Sequence, residues 1–293
     1  MKSNFMNYFK GGKLYQWDKD MNVFVISKTT IQEEFCLDQK SMDLFLKFNN
    51  PEIKLGKTLT VKSGNTKANI KLTKTTLVVP EFESIHTFKV PSEALKMAVK
   101  FIATKDDRGA LVGVNLGGGY INSTDSFSAY RTTLTCKVCN ITITKQFIDA
   151  ITSVNEEIEL SCNHQMVVAK VSDVVYIGKL IAAQFPSFAK VYENMGNNTW
   201  VINKNQFTQL LKYSVDSKDN VCLSKDRLRI TGSTELEATI ELDINCELVF
   251  PISKISHVLS AISQEEIVIN YTDSKRPVFF NKDILLLPII KEV

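Results

Sequence analysis

The hydrophobic positions of this chain recur in two rhythms. Five short segments carry apolar residues four, seven and often eight positions after a capping or first-turn residue, with starts at Asp38, Pro91, Thr144, Asn203 and Pro251. From Asp38 the apolar positions are Met42, Phe45 and Leu46; from Pro91 they are Leu95, Ala98 and Val99, with Ile102 a turn later. Thr144 is followed by Ile148 and Ile151, Asn203 by Phe207, Leu210 and Leu211, and Pro251 by Ile255, Val258, Leu259 and Ile262. At about 100° per residue these offsets gather on one stripe, so each segment is predicted as a short helix with a single buried face. Asp, Thr and Asn suit a helix start because their side chains accept a bond from a first-turn amide, and proline lacks an amide that would go unpaired there.

Between the helices the period drops to two. The stretches KTLTVKSG, EIELSCN, RLRITGS, ATIELDI and EIVINY alternate apolar with polar residues, as strands do when one face is buried and the other wet. Helix starts lie 53, 53, 59 and 48 residues apart, and alternate starts lie 106, 112 and 107 apart. The tighter agreement of the second set predicts a domain of about 108 residues built from two half-units. Pro80-Glu81-Phe82 and Pro186-Ser187-Phe188 stand 106 positions apart, each shortly before a helix start, and read as two versions of one inter-domain connection. The expected domains are residues 1–83, 84–193 and 194–293, the first with its second half-unit only, since three full periods need about 324 residues.

A hydrophobic content of 44% is enough for several cores, and a net charge of +3 does not by itself mark a nucleic-acid binder. The arrangement of that charge is more telling. The five helical segments hold eight lysines (Lys40, Lys47, Lys96, Lys100, Lys145, Lys204, Lys212, Lys254) and four acids (Asp38, Asp43, Glu93, Asp149), so they carry +4 and the rest of the chain −1. Lys47, Lys100 and Lys212 each stand nine positions after a helix start, nearly opposite the apolar stripe. Exposed helix faces often carry lysine, but the repeated register favours a shared positive face.

The six cysteines are scattered and read as reduced thiols. Cys136 and Cys139 form one CxxC without the second ligand pair of a structural zinc site, so no metal is expected. His86, His164 and His257 have no nucleophile or metal spacing near them, and Gly117-Gly118-Gly119 lacks the lysine of a phosphate-binding loop and reads as a hairpin turn. Nothing indicates an enzyme or a cofactor. No apolar run is long enough to span a membrane and the start lacks a signal-peptide pattern, which predicts a cytoplasmic protein with no membrane partner.

Several segments resemble the bacterial-type DNA sliding clamp, the beta subunit of the replicative DNA polymerase. IGKLIAAQFPSFAKV is similar to the segment that ends that family's middle domain, and GVNLGGGYINSTDSFSAYRTTL resembles its strand, turn and alanine-threonine-aspartate-glycine-tyrosine-arginine-leucine motif. The closing RPVFFNKDILLLPII resembles its last strand pair and proline-containing tail, and LTVKSGNTKANIKL the sheet edge of its first domain. Against the family pattern, the turn after Thr124-Asp125 reads as lengthened before Tyr130-Arg131, and Lys179-Leu180 stands where arginine-leucine is usual. The short first domain fits a phage-like variant.

The resemblance implies an α+β fold of tandem clamp domains, with helices lining a central channel and antiparallel sheets outside. It implies a processivity factor, a ring-forming homo-oligomer, expected as a dimer, that encircles double-stranded DNA without reading sequence and binds a replicative DNA polymerase and a clamp loader. The eight helix lysines would face DNA. A hydrophobic pocket for partner peptides would comprise Thr124, Tyr130 and Arg131; Pro186, Lys190 and Val191; Pro277 and Val278; and Leu285, Leu286, Leu287, Pro288, Ile289 and Ile290. Phe185 and Phe188 are expected in the core at the domain end. The subunit joint would involve residues around Gly64–Leu72 and Tyr213–Val221. The competing class is a β-rich structural or virion scaffold that never touches DNA.

Overall fold

The computed structural model describes residues 5–18, 20, 22–105, 109–135, 140–153, 157–233, 235–239 and 244–290. In chain order the first elements are β1 (Met6–Lys10), β2 (Lys13–Trp17), β3 (Val23–Lys28), β4 (Phe35–Asp38), α1 (Gln39–Phe45), β5 (Glu52–Leu55), β6 (Thr58–Ser63), β7 (Thr66–Lys71) and β8 (His86–Pro91). Next come α2 (Ser92–Val99), β9 (Gly113–Gly117), β10 (Tyr120–Thr124), β11 (Ser128–Thr133), β12 (Ile141–Thr144), α3 (Lys145–Ile151), β13 (Glu157–Cys162), β14 (Met166–Val171), β15 (Val174–Lys179) and α4 (Ala189–Glu193). The rest are β16 (Asn198–Asn203), α5 (Lys204–Leu211), β17 (Asn220–Ser224), β18 (Arg227–Thr231), β19 (Leu236–Thr239), β20 (Leu248–Pro251), α6 (Ile252–Ala261), β21 (Glu266–Tyr271), β22 (Val278–Phe280) and β23 (Ile284–Leu286).

All five expected helices form, each following directly on a strand. Asp38, Thr144 and Asn203 act as expected: their side chains accept the amides of Ser41 at 2.8 Å, Phe147 at 3.3 Å and Gln206 at 3.0 Å. Proline acts differently. Pro251 is the extended cap residue and Pro91 the last residue of β8, so each precedes the first helical position instead of occupying it. Leu95, Ala98, Ile148, Ile151, Ile255 and Val258 are all fully buried, but Leu46 is 64% exposed. The helix it was expected to extend has ended at Phe45, and Leu46 caps it.

Contacts divide the chain into two compact units, 1–96 with 136–182 and 97–135 with 183–293. In the first, one antiparallel sheet runs β4-β1-β2-β3-β15-β14-β13-β8 and a smaller one β5-β6-β7. Met42 and Phe45 of α1 share a core with Phe9, Phe35 and Leu37 of the large sheet and Leu59, Val61 and Ile70 of the small one. The alternation read in KTLTVKSG is thus a strand face buried against a helix. Three strands, β1 to β3, stand ahead of β4, so residues 1–83 hold more than a strand, a helix and three strands. Gly178 on β15 lets α3 approach, because a Cβ there would run into the Phe147 ring.

In the second unit the order β9-β10-β11-β23-β22-β21-β16 repeats the connectivity of β1-β2-β3-β15-β14-β13-β8, the structural form of the sequence period. A second sheet runs β19-β18-β17-β20. Its end strands are β19 and β20, the latter already taking Ile289 N at Val249 O, whereas Val221 lies in β17, paired on both sides. Tyr213–Val221 is therefore not a sheet edge, while Gly64–Leu72 contains the edge strand β7. ATIELDI falls mostly outside the described residues, as does the Cys136–Cys139 pair. Gly118 and Gly119 take φ of 63° and 81° in the two-residue hairpin turn between β9 and β10, as Gly117-Gly118-Gly119 predicts.

Candidate docking face and basic helix ends

The β10–β11 hairpin is shorter than the sequence implied. Thr124 pairs with Ala129, so the connection is only Asp125-Ser126-Phe127-Ser128. Ser126 takes φ 77°, a left-handed conformation usual for glycine, and stands where the resembling motif has its glycine. The motif therefore overlays Ser123 to Ala129, and Tyr130 and Arg131 lie beyond it on β11. The expected lengthening is an error of register.

Asp125 organises this turn. Its Oδ1 accepts the amides of Phe127 at 3.0 Å and Ser128 at 2.6 Å and the Ser128 hydroxyl at 2.9 Å, and its Oδ2 meets Lys254 Nζ of α6 at 2.5 Å. Burial by itself would raise the carboxyl pKa, but the Lys254 bond and the Ser128 and Phe127 amides outweigh it and hold the pKa below the ordinary value. Thr124 is buried, its hydroxyl donating to Ser128 O at 2.7 Å. The turn so fixed leaves Phe127 57% exposed, with Lys254 Nζ 4.9 Å from its ring centroid.

The tail is fastened beside it. Leu287 N donates to Phe127 O at 2.9 Å and Ile289 N to Val249 O at 2.7 Å. Val278, Leu285, Leu286 and Pro288 are buried, and Pro277 is half-buried. Leu287, Ile289 and Ile290 are 39%, 38% and 57% exposed and, with Phe127, make an apolar lip on the second unit. Such exposed apolar surface beside polar residues is suited to holding apolar side chains of a partner.

The segment around Pro186 is mostly covered by its own chain. Phe185 is buried with Ala110 and Leu111, and Phe188 packs against both that cluster and the one formed by Ala129, Tyr192, Phe279 and Leu285. Their rings meet edge to face at 5.7 Å. Phe185 is thus in the core, as expected, and Phe188 is half-buried at its margin. Val191 is half-buried on the second cluster, while Pro186 and Lys190 are exposed. Helix α4, one turn long, was not foreseen in the sequence.

Tyr130 and Arg131 do not join the lip. Tyr130 is buried, stacked on Phe101 at 6.0 Å, and burial pushes its hydroxyl pKa up to about 12. Arg131 lies against Tyr120 and Tyr192. Of the apolar residues that do form the lip, Phe127 was missed. The signal for it was an aromatic residue in the third place of a four-residue turn, hidden by the register error.

The eight helix lysines divide into two groups. Lys96 pairs with Glu93 at 3.0 Å, Lys145 with Asp149 at 2.7 Å and Lys254 with Asp125, and the ammonium of Lys204 donates to Ile262 O. Lys40, Lys47, Lys100 and Lys212 are exposed and have no ion-pair partner among the described residues. Lys100 immediately follows α2, Lys212 caps α5 and Lys47 stands one residue past the cap of α1. A cation there also offsets the partial negative charge of a helix C-terminus, worth about 0.3–1 kcal/mol at an exposed site.

The described residues show no group of His, Cys, Asp and Glu that could hold a metal ion. His257 meets Lys100 O at 2.8 Å and the Phe101 ring at 5.4 Å, while His86 and His164 are exposed. No helix among the described residues is long and apolar enough to cross a membrane.

No protein-family model and no curated protein matches the chain. Solved structures do. The DNA polymerase sliding clamp of Pseudomonas aeruginosa, solved with a ligand, is similar at a TM-score of 0.81 and 18% identity, over 99% of this chain and 92% of that one. The DNA polymerase III beta subunit of Thermotoga maritima gives the same TM-score of 0.81, identity of 18% and coverage of 99% and 92%. The sliding clamp of Bartonella birtlesii bound to griselimycin is similar at a TM-score of 0.81 and 14% identity, over 99% of this chain and 92% of that one. The chain therefore has the sliding-clamp fold, with its α+β composition of short helices and antiparallel sheets.

Proposed function

We propose that this chain is a DNA polymerase processivity factor, a clamp that closes with a second copy of itself around duplex DNA and tethers a replicative polymerase and a clamp loader. The observation that carries this reading is the likeness to sliding clamps along nearly the whole chain, not in one domain. In this reading residues 1–83, 84–193 and 194–293 are three clamp domains, and α1, α2, α3, α5 and α6 face a common channel. Lys40, Lys47, Lys100 and Lys212 then contact phosphates without reading bases. The four tethered lysines contribute less, because each already has an acceptor.

Ring closure needs two compatible edges. The strand edges of β7 and β19, unpaired among the described residues, supply backbone donors and acceptors that a second chain can satisfy, one protomer's β7 beside its partner's β19. The lip of Phe127, Leu287, Ile289 and Ile290 takes the apolar residues of polymerase and loader peptides. The chain makes and breaks no covalent bond in this role, and it works in the cytoplasm of a bacterium or infected host.

Mass in solution at micromolar concentration tests closure. A dimer of the 33.0 kDa chain is expected. A monomer throughout that range contradicts the two-subunit ring.

A further inference from the structure

The face of β11 that carries Ala129 also carries Arg131, because alternate residues of a strand share a side. Ala129 belongs to the apolar floor against Tyr192, and Arg131 continues that face away from the turn. Its guanidinium carbon lies 3.5 Å from the ring centroid of Tyr120 and 5.1 Å from that of Tyr192. Stacking covers the plane of the cation and leaves its edge to be satisfied. Nε of that edge is buried without a hydrogen-bond partner, and the guanidinium forms no ion pair with a described carboxylate.

The arginine borders a cleft of about 260 Å³, whose other walls include Glu193 and Asp283. Asp283 does not answer the cation. Burial alone acts on its carboxyl and raises the pKa, the reverse of what an adjacent guanidinium would do. A buried donor without an acceptor is costly, and a planar guanidinium fork fits a carboxylate in two parallel bonds. Lys282 also lines the cleft, so its walls carry two cations and two acids, and a singly charged, planar carboxylate matches the fork at a smaller electrostatic cost than a doubly charged phosphate.

We propose that this cleft binds a carboxylate, that of an acidic residue in the partner peptide whose apolar residues dock on the adjoining face. The inference rests on the peptide-docking reading, and the experiment separates the two. Synthetic decapeptides carry a Leu-Phe pair, chosen for an apolar lip, with glutamate or glutamine placed at each flanking position in turn. Wild type is expected to prefer glutamate about tenfold at one or two positions, the size of a charge-assisted hydrogen bond. R131Q is expected to remove the preference and keep the glutamine-peptide affinity. R131K, which keeps the charge without the fork, is expected to show an intermediate preference. Equal affinity for glutamate and glutamine at every position overturns the inference, as does an R131Q variant that weakens both peptides alike.

Acetate and inorganic phosphate, titrated while observing the Nε–Hε signals of the five arginines by NMR, probe the cleft directly. A saturable shift of the Arg131 signal with acetate, at concentrations that leave the other four arginine signals in place, supports the site even if no peptide binds, an outcome that would overturn only the docking reading. No shift with acetate, or a shift with phosphate alone, overturns the carboxylate assignment.

Discussion

Lys254 on α6 and Asp125 at the β10–β11 turn form an ion pair of 2.5 Å, with the lysine side chain 32% exposed and the aspartate side chain 17%. One lysine from the helical set is therefore committed to holding a hairpin, and that hairpin positions Phe127. The same Asp125 also accepts two backbone amides, so losing the carboxylate frees more than one donor.

Asp125→Ala is expected to cost about 2 kcal/mol, since it leaves an ammonium and two turn amides short of their acceptor. Chemical denaturation of the variant beside wild type measures it. The pH dependence follows from the depressed folded-state pKa. The contribution is fully present above the ordinary carboxylate value near 4 and is lost as pH falls through the lower folded-state value. Asp125→Asn should flatten that acid limb of the stability profile and leave the neutral-to-basic limb unchanged.

The lysine groups should separate on DNA. Replacing Lys47, Lys100 and Lys212 together with glutamine is expected to reduce the slope of log affinity against log salt by about 2 to 3 per protomer, and so by up to about 5 for the two-subunit ring, close to 0.9 for each phosphate no longer neutralised. Lys145→Gln, which removes a lysine already paired with Asp149, should change the slope by less than about 0.5 on the same scale. Equal effects would mean that local pairing does not decide which lysines reach phosphate.

Gly178→Ala tests the close approach of β15 and α3. The added methyl would collide with the Phe147 ring, and overpacking of this kind costs about 1–3 kcal/mol. Thermal unfolding should show the loss, and Phe147→Leu in the same background should recover part of it.

Phe127→Ala and Ile290→Ser remove apolar surface that is 57% exposed at each position. Stability should change by less than about 0.5 kcal/mol, the usual range for surface positions. Affinity for an apolar partner peptide should fall by about tenfold or more, as for a residue central to an interface. Titration calorimetry with one synthetic peptide distinguishes this from an ornamental lip, for which affinity would stay unchanged.

The five helix starts were legible because two independent signals coincide at each, a capping or proline position and an apolar stripe. The end of α1 was not: Leu46 fits the stripe, but the chain leaves the helix at Phe45 and periodicity carries no stop signal there. Helix α4 spans only Ala189–Glu193, too few residues for a period to show. The docking face was half legible. The tail was found from its proline and apolar run, but which of its residues face outward depends on pairing: Leu285 and Leu286 are buried by β22 and β11, whereas Leu287 is not. That Arg131 lies beyond the turn was not legible, because spacing alone could not reveal that Ser126 takes the left-handed place of a glycine.

Encirclement is the claim on which the functional reading turns, and topology tests it. The protein is loaded on nicked circular duplex DNA, passed through a sizing column at moderate salt, and compared with the same DNA cut once. The account predicts that it stays with the circle and is lost from the linear form by sliding off the ends. Equal retention, or equal loss, on the two forms would contradict it.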